Sequence, residues 1–269
     1  MAALLHREAI GWFLRYAMGL SAWKAYGGTR WALRVNPSSG NLHPTEAYLV
    51  HDGRIFHYAP REHALEERAV LSYEKWTAFL QGRQGFLVAL TSIQWREAWK
   101  YGERAFRYCQ HDVGHAIAAL RFSASLFGWT LRLLPEWSDE QMATLVGVDR
   151  DDDRGEAEPE HPECLALVGP GVSWTPGDAA ALAAEARSAA WHGRANILSR
   201  GHDEWPVIEQ VTKATRYTPP SSRADDARAS ARQAEARSVE ALYPRRLILQ
   251  RRSALAFDGR SALPRERFL

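Results

Sequence analysis

The feature that most restricts the fold is an uninterrupted helical pattern in the middle of the chain. Apolar residues recur every three or four positions over about six turns after Gly102, namely at Phe106, Cys109, Val113, Ile117, Leu120, Ala124 and Phe127. Upstream, Gly85–Ile93 is a continuous apolar run, which is typical of a central strand buried on both faces. These two elements predict a layered α/β domain, and 269 residues are enough for one full core of that kind.

The flanking segments carry weaker strand and helix signals. Ala47–His51 and Arg54–Tyr58 predict two strands joined by an Asp-Gly turn, which is a strong hairpin signal. Apolar spacing predicts an amphipathic helix from Arg7 to about Lys24. The remaining expected elements are helices at Glu74–Gln81, Asp139–Val146, Asp178–Ala190 and Trp205–Ala214, strands at Trp129–Leu134 and Cys164–Val168, and an acidic surface loop at Asp149–Pro162.

Bulk properties restrict the partners and the compartment. A net charge of +2 with 25% charged residues leaves no cationic surplus for a polyanion, so no nucleic-acid binding is predicted. Cys109 and Cys164 lack metal-like spacing, and so sparse a pair indicates a reducing compartment, by default the cytoplasm. The first residues do not resemble a signal peptide, and no stretch approaches the roughly 20 apolar residues of a membrane span.

A polar segment, Asn36-Pro37-Ser38-Ser39-Gly40-Asn41, separates the N-terminal helix from the hairpin. Pro37 restricts one backbone torsion, whereas Gly40 permits a backbone path closed to other residues. Ser38, Ser39 and Asn41 offer short side chains and free amides, which suit a planar heteroaromatic ring. The alternative is an ordinary helix-to-strand turn, and composition alone favours that alternative.

The sequence of this loop resembles that of a known protein family. Pro37–Asn41 is similar to the Pro-Ser-Ser/Ala-Gly/x-Asn signature of the FMN-dependent nitroreductase superfamily, and Leu42–Tyr48 resembles its SagB-type dehydrogenase branch. A second match follows in the expected order, at Trp99–Tyr108 and then Asp112–His115. A third, Leu165–Gly169, resembles the glycine-ended late strand of the family. Together the matches cover roughly the first 200 residues.

The resemblance implies a fold and a cofactor. The expected fold is a three-layer α/β (α+β) domain with a mainly antiparallel sheet of about five strands, flanked by helices, with a long central helix from about Gly102. Members of the family bind FMN at a dimer interface, where each subunit covers part of the other's flavin. A homodimer is therefore expected, or an intrachain pseudo-dimer within a longer parent protein.

The resemblance also assigns roles to residues. The loop orients the flavin, with Ser38, Ser39 and Asn41 on the ring edge or the ribityl chain. Arg34 is a candidate for the phosphate or for negative charge on reduced flavin, or it is a surface arginine before a turn. Lys100 and Tyr101 match a Lys-Tyr pair associated with proton removal from a heterocycle; the structural alternative is a solvated lysine beside a core aromatic.

The implied activity is that of an FMN-dependent oxidoreductase similar to SagB-type dehydrogenases, which oxidise thiazoline or oxazoline rings in modified peptides. Two alternatives remain open: an NAD(P)H-dependent nitro or quinone reductase acting on small molecules, and a non-catalytic, flavin-free scaffold. His111 and His115 have the i, i+4 spacing of zinc ligands. The general base of a His-Glu-x-x-His zinc protease is missing, so no metal is predicted.

The end of the chain carries a motif that the family has at the start of its domain. Arg251-Arg252-Ser253, followed by Phe257, resembles the opening of a nitroreductase domain, where arginines and a serine grip the FMN phosphate. We expect a domain at residues 1–216, a linker at 217–240, and at 241–269 the start of a second copy or a docking tail. A fragment of a tandem protein is the favoured explanation; the other is a tail that folds back, or crosses to a partner, to supply the phosphate clamp.

Overall fold

The structure is a computed structural model that describes residues 2–201, 203–220, 243–262 and 264. In chain order its elements are α1 (Arg7–Ala17), β1 (Leu20–Tyr26), β2 (Thr29–Arg34), β3 (Thr45–His51), β4 (Arg54–Ala59), β5 (Ala64–Val70), α2 (Tyr73–Phe79), β6 (Phe86–Ser92), α3 (Trp95–Tyr101), α4 (Ala105–Leu126), β7 (Thr130–Leu133), α5 (Asp139–Val146), α6 (Asp151–Arg154), β8 (His161–Gly169), α7 (Ala179–Ser188), α8 (Pro206–Ala214) and α9 (Pro244–Gln250). Short 3₁₀ turns occupy Ser39–Asn41 and Gly102–Arg104.

The architecture has three layers, as predicted. The central sheet is antiparallel throughout the described residues, with six strands in the order β5-β4-β3-β6-β8-β7. Strand geometry directs alternate side chains to opposite faces, so Leu49 packs against α1 and α4 whereas Val50 packs against α2, α5 and α7. The two helical layers bury one core on each face of the sheet. This is the predicted α/β fold with a mainly antiparallel sheet.

The strongest sequence signals are confirmed. β6 is buried along its whole length between β3 and β8. The predicted hairpin is β3–β4, in which Asp52 (φ 50°) and Gly53 (φ 71°) form the turn. The long helix α4 has 22 residues, although it begins at Ala105 because the preceding residues form a 3₁₀ turn. The sheet has six strands instead of about five, since β5, whose outward positions are charged, went unrecognised.

The prediction of one helix from Arg7 to about Lys24 is wrong. α1 ends at Ala17, and the chain continues into the antiparallel β1–β2 hairpin around Gly27-Gly28. Gly19 marks the break, because a Cβ on Gly19 would lie 2.7 Å from the carbonyl oxygen of Arg15. The apolar stripe of α1 is real, but the prediction extended it too far, into β1, whose last four residues are all exposed.

The C-terminal segment folds back onto the domain. α9 packs against α1 and β1, with Ile248 and Leu249 partly buried against the core beneath α1. The Arg251 Nη2 donates to the carbonyl oxygen of Val35 at 3.3 Å. Most of the predicted linker at 217–240 lies outside the described residues, as does the end of the predicted 241–269 segment. The proposed domain boundaries therefore stay predictions.

Two smaller findings complete the description. The segment at 149–162, predicted to be an acidic loop, contains the short helix α6, and β8 already begins at His161. Among the described residues, no helix combines the length and apolar character needed to cross a membrane.

Candidate functional site

The two segments matched in the sequence meet at Gly40. This exposed glycine has φ +59°. A Cβ built on it would lie 2.7 Å from the Lys100 Nζ and 2.7 Å from the Tyr101 Oη. Contacts this short exclude any side chain at position 40 unless both neighbours move. The fold thus places the polar loop directly against the predicted catalytic pair.

Side chains of the loop are bonded within the chain. The Ser38 Oγ accepts from the backbone amide of His43 at 2.8 Å. The Asn41 Nδ2 donates to the carbonyl oxygen of Ala32 in β2 at 2.8 Å, and its Oδ1 accepts from the His43 Nε2 at 2.9 Å. These bonds shape the loop and attach it to the β1–β2 hairpin. The predicted contacts of Ser38, Ser39 and Asn41 with a flavin remain predictions.

The loop backbone is left-handed at three positions, two of which carry a Cβ. Gly40, Asn41 (φ 62°) and His43 (φ 53°) all lie in the left-handed region, which is costly for residues with a Cβ. The strain is held in place by the bonds of Asn41 and by the burial of His43. Burial, followed by the charges of Arg34 and Arg96, lowers the pKa of His43 to about 3, so its imidazole is neutral and its Nε2 carries the donated proton.

Lys100 and Tyr101 lie at the end of α3. The Lys100 side chain is exposed, and its Nζ is 5.3 Å from the centroid of the Tyr101 ring. The Tyr101 ring contacts that of Tyr108 at a centroid distance of 4.4 Å. Gly102 (φ +57°) then turns the chain toward α4 beneath the ring of Trp205, which leaves no free space for a Cβ. This turn ends α3 with both side-chain termini at the loop.

Two fully buried carboxyl side chains lie beneath the loop. Asp112 on α4 accepts from the Ser39 backbone amide, at 3.0 Å to Oδ1 and 3.2 Å to Oδ2. Glu97 on α3 is also fully buried. Sequence analysis placed Asp112 in a matched motif and missed Glu97. The available signal was a carboxyl group one helical turn before Lys100, in a segment rich in tryptophan.

Arg34 is part of a buried ion network. Its Nη1 donates to the carbonyl oxygen of Thr45 at 3.0 Å, and its Nη2 lies 3.5 Å from the Glu46 Oε1. Arg96 and His57 contact the same carboxylate. Burial lowers the pKa of Arg34 and also opposes ionisation of Glu46, but the neighbouring cations hold the pKa of Glu46 well below its usual range. Arg34 thus lies inside the fold and is not a surface arginine; its predicted phosphate contact remains a prediction.

The other predicted cofactor residues are separated. Gly169 pairs with Thr130 at the far end of β8, whereas the loop joins β3 beside Ser92 and His161. The two ends of β8 are about 25 Å apart along the strand. Arg251 reaches Val35, directly before the loop, and the Arg252 Nη2 lies 3.4 Å from the Ser21 carbonyl oxygen. Ser253 is exposed.

The i, i+4 histidines do not form part of a metal cluster in the described chain. His115 is half exposed, with its Nδ1 3.9 Å from the Asp112 Oδ1, and His111 is exposed. Over residues 2–201, 203–220, 243–262 and 264, no group of three or more His, Cys, Asp or Glu side chains is arranged to hold a metal ion.

Comparison with known proteins supports the fold. No family model and no curated protein matches the chain. A protein from Anabaena variabilis provisionally described as a nitroreductase superposes with a TM-score of 0.57 and 19% identity, over 80% of this chain and 44% of that protein. The chain therefore spans less than half the length of that protein. At this identity the likeness shows a nitroreductase-like fold.

Two further solved structures align less closely. One is a chain of the E. coli microcin synthetase McbBCD complex with truncated pro-MccB17 bound, with a TM-score of 0.48 and 20% identity, over 60% of this chain and 62% of that chain. The other, from Ralstonia eutropha, is provisionally described as a nitroreductase and has a TM-score of 0.48 and 15% identity, over 65% of this chain and 77% of that chain.

Proposed function

We propose that the chain is an FMN-dependent oxidoreductase that oxidises thiazoline or oxazoline rings in modified peptides. The observation that carries the proposal is the meeting of Gly40 with the Lys100 Nζ and the Tyr101 Oη. A loop and a Lys-Tyr pair with matching family signatures, far apart in sequence, form one exposed surface. The nitroreductase-like fold is consistent with flavin chemistry.

The residues present fit a flavin. The missing Cβ at Gly40 lets the Lys100 Nζ and the Tyr101 Oη approach the loop backbone, so that a flat ring lying on the loop would meet both groups. Arg251, beside Val35, offers a cation near the same loop for a phosphate. In this proposal the Pro37–Asn41 backbone orients the ring, and the tail contributes to holding the phosphate.

The chemistry requires a base and an electron acceptor. Oxidation of the five-membered ring removes a proton from one carbon and a hydride from its neighbour. FMN, when bound, supplies the two-electron acceptor for the hydride. Lys100, in its amine form, accepts the proton, and the Tyr101 hydroxyl orients the lysine and the substrate through hydrogen bonds.

The proposal includes a second nitroreductase-like unit that completes the flavin site. Gly40 and Lys100 lie on the surface of this chain. On α4, Phe122 is 69% exposed, and a Cβ on Gly114 would meet nothing within 4 Å. In this proposal the exposed Phe122 contacts a second copy, or a second domain of a longer parent. Sedimentation of the wild-type chain and of Phe122→Ser tests the second copy. A wild-type monomer excludes a homodimer and leaves the second domain of a longer parent, and an unaffected dimer in the variant contradicts the role of Phe122.

Binding and turnover test the proposal separately. Purified chain should take up added FMN and release it on heating. We expect Lys100→Met and Tyr101→Phe to retain FMN but to lower the rate of azoline oxidation at least about 100-fold. The exposed Lys75 on α2 provides a matched control, and Lys75→Met should leave the rate unchanged.

Each failure points to a different alternative. Protein that does not take up FMN supports the flavin-free scaffold. Protein that binds FMN but whose flavin is reduced rapidly by NADPH and reoxidised by nitroaromatics supports the nitro or quinone reductase. Azoline oxidation that survives both substitutions contradicts the assigned roles of Lys100 and Tyr101.

A further inference from the structure

Glu97 and Asp112 form an asymmetric buried pair. Both side chains are fully buried. The Asp112 carboxylate accepts from the Ser39 amide at 3.0 and 3.2 Å and from the Ser39 Oγ at 3.3 Å. Neither oxygen of Glu97 receives a hydrogen bond from a donor in the described chain. One carboxyl group is thus bonded to the loop and the other lacks donors.

Such a pair does not ionise twice near neutral pH. Two unit charges about 4 Å apart at an effective dielectric constant of about 20 repel by about 4 kcal/mol. A buried carboxylate without donors also loses its hydration without replacement. Burial, followed by the charge of Asp112 and a hydrogen bond to it, raises the pKa of Glu97 to about 8, although Lys100 acts in the opposite direction. At neutral pH the Glu97 hydroxyl therefore donates to Asp112.

We propose that Glu97 and Asp112 hold one shared proton, and that Glu97 is a positioning residue for the loop that faces Lys100. In this proposal the Glu97 hydroxyl donates to the Asp112 carboxylate, and that carboxylate accepts from Ser39, the neighbour of Gly40. Its effect on flavin binding rests on the proposed function; the shared proton itself does not.

Loss of that proton changes two things at once. A second buried negative charge next to Asp112 pushes the two carboxylates apart and loosens the attachment of Ser39. The new charge also lies one helical turn from Lys100 and draws its ammonium group away from Gly40. Because the folded state binds this proton more tightly than the unfolded chain, its contribution to stability is full below the ordinary glutamate pKa and is lost as pH rises through about 8.

Other titratable groups surround the pair. Lys100 extends from α3, and His115 from α4 lies 3.9 Å from Asp112. Cys109, also on α4, is buried near both carboxyl groups, and burial raises the pKa of its thiol. Burial likewise raises the pKa of Glu163 on β8, whose Oε2 accepts from Gln110. His115 is the neighbour that most needs a control, since its imidazole lies next to the Asp112 carboxylate.

The test is a pH titration of FMN affinity in the full chain, from about pH 6 to about pH 10. We expect wild-type affinity to fall about tenfold around pH 8, the equivalent of one hydrogen bond to a charged group. Glu97→Gln keeps a neutral donor. It should therefore have the FMN affinity that wild type has at pH 7, and this affinity should not fall as pH rises through about 8. Glu97→Ala should bind about tenfold more weakly throughout, and His115→Gln should retain the fall around pH 8.

A second readout separates this inference from the flavin proposal. Infrared difference spectra of the flavin-free chain should show a protonated carboxyl band that disappears around pH 8 and is missing in Glu97→Gln. No FMN binding with this band present contradicts the proposed function alone. The shared-proton proposal is wrong if FMN affinity falls around pH 8 in Glu97→Gln as it does in wild type, or if no carboxyl band titrates.

Discussion

The backbone amide of Ser39 donates to both carboxylate oxygens of Asp112, at 3.0 and 3.2 Å, although 73 positions separate the two residues. This contact joins the polar loop to the long helix α4. It makes the position of Gly40 dependent on a buried charge, because Gly40 directly follows Ser39. The first prediction concerns this contact.

Replacing Asp112 by alanine should loosen the loop. The Ser39 amide loses a charged acceptor, so we expect the free energy of unfolding to fall by about 2–3 kcal/mol. Urea denaturation of the flavin-free chain measures the change. Asp152 is exposed on α6, and Asp152→Ala is the matched control that should remain near the wild-type value. Equal midpoints for the two variants would contradict the role of Asp112.

A side chain at Gly40 should affect the site more than the fold. Gly40→Ala introduces a residue at φ +59° and a Cβ at 2.7 Å from both the Lys100 Nζ and the Tyr101 Oη. Gly27→Ala provides the backbone strain alone, since its φ is +53° and nothing lies within 4 Å of the added Cβ. Each variant should lose about 1 kcal/mol of stability.

Only Gly40→Ala should also lower FMN affinity and azoline oxidation, because only there must the proposed catalytic pair, Lys100 and Tyr101, move. Thermal unfolding and fluorescence titration measure the two effects. The site assignment fails if Gly40→Ala and Gly27→Ala bind FMN equally well.

Stability should depend on the ionisation of His57 at alkaline pH. Its Nε2 donates to Glu46 at 2.9 Å and its Nδ1 to Glu66 at 2.7 Å, which links β3, β4 and β5. Burial acts to lower the pKa of His57, but these two carboxylates raise it to about 9. The stabilisation is therefore complete below the ordinary histidine pKa and is lost as pH rises through about 9.

The difference in unfolding free energy between wild type and His57→Gln should be on the order of 2 kcal/mol at neutral pH, and it should shrink above about pH 9. Chemical denaturation across this range measures it. The exposed His192 is the control, and His192→Gln should show no such convergence. A constant difference between wild type and His57→Gln would count against the ion bridge.

Arg251 should distinguish FMN from riboflavin. If the folded-back tail grips the phosphate, Arg251→Gln lowers FMN affinity about tenfold, since a charged hydrogen bond is lost, and leaves riboflavin affinity unchanged. The exposed Arg260 supplies a control of equal charge in Arg260→Gln. An equal loss for both flavins, or unchanged FMN affinity after deletion of residues 239–269, would exclude a phosphate clamp in the tail.

Much of the fold could be read from local patterns. The 3.6-residue spacing of α4, the apolar run of β6 and the Asp52-Gly53 turn each predicted one element, and all three are confirmed. Local patterns failed where the same residue pattern is compatible with either a helix or a strand. Helical spacing after Ala17 was accidental, and β5 has too few apolar positions to stand out.

The site was predicted only in part. Family signatures named the Pro37–Asn41 loop, Lys100 and Tyr101, and the structure brings them together. Sequence analysis did not predict the ion pair between Arg34 and Glu46, because a guanidinium pairs equally well with a carboxylate or a phosphate. Glu97 was missed for a related reason, since a glutamate in a helix is ordinarily solvated.

By itself, the sequence determined the layered α/β class, because periodicity and turn residues act between near neighbours, and its family signatures selected the two segments predicted to carry the chemistry. Only the tertiary structure decided that Gly40 lies against Lys100 and Tyr101, and that Glu97 is buried beside Asp112. Those relationships arise from packing between α3, α4 and the loop. Burial strengthens charge interactions by removing water, and no local pattern specifies which charges will be buried together.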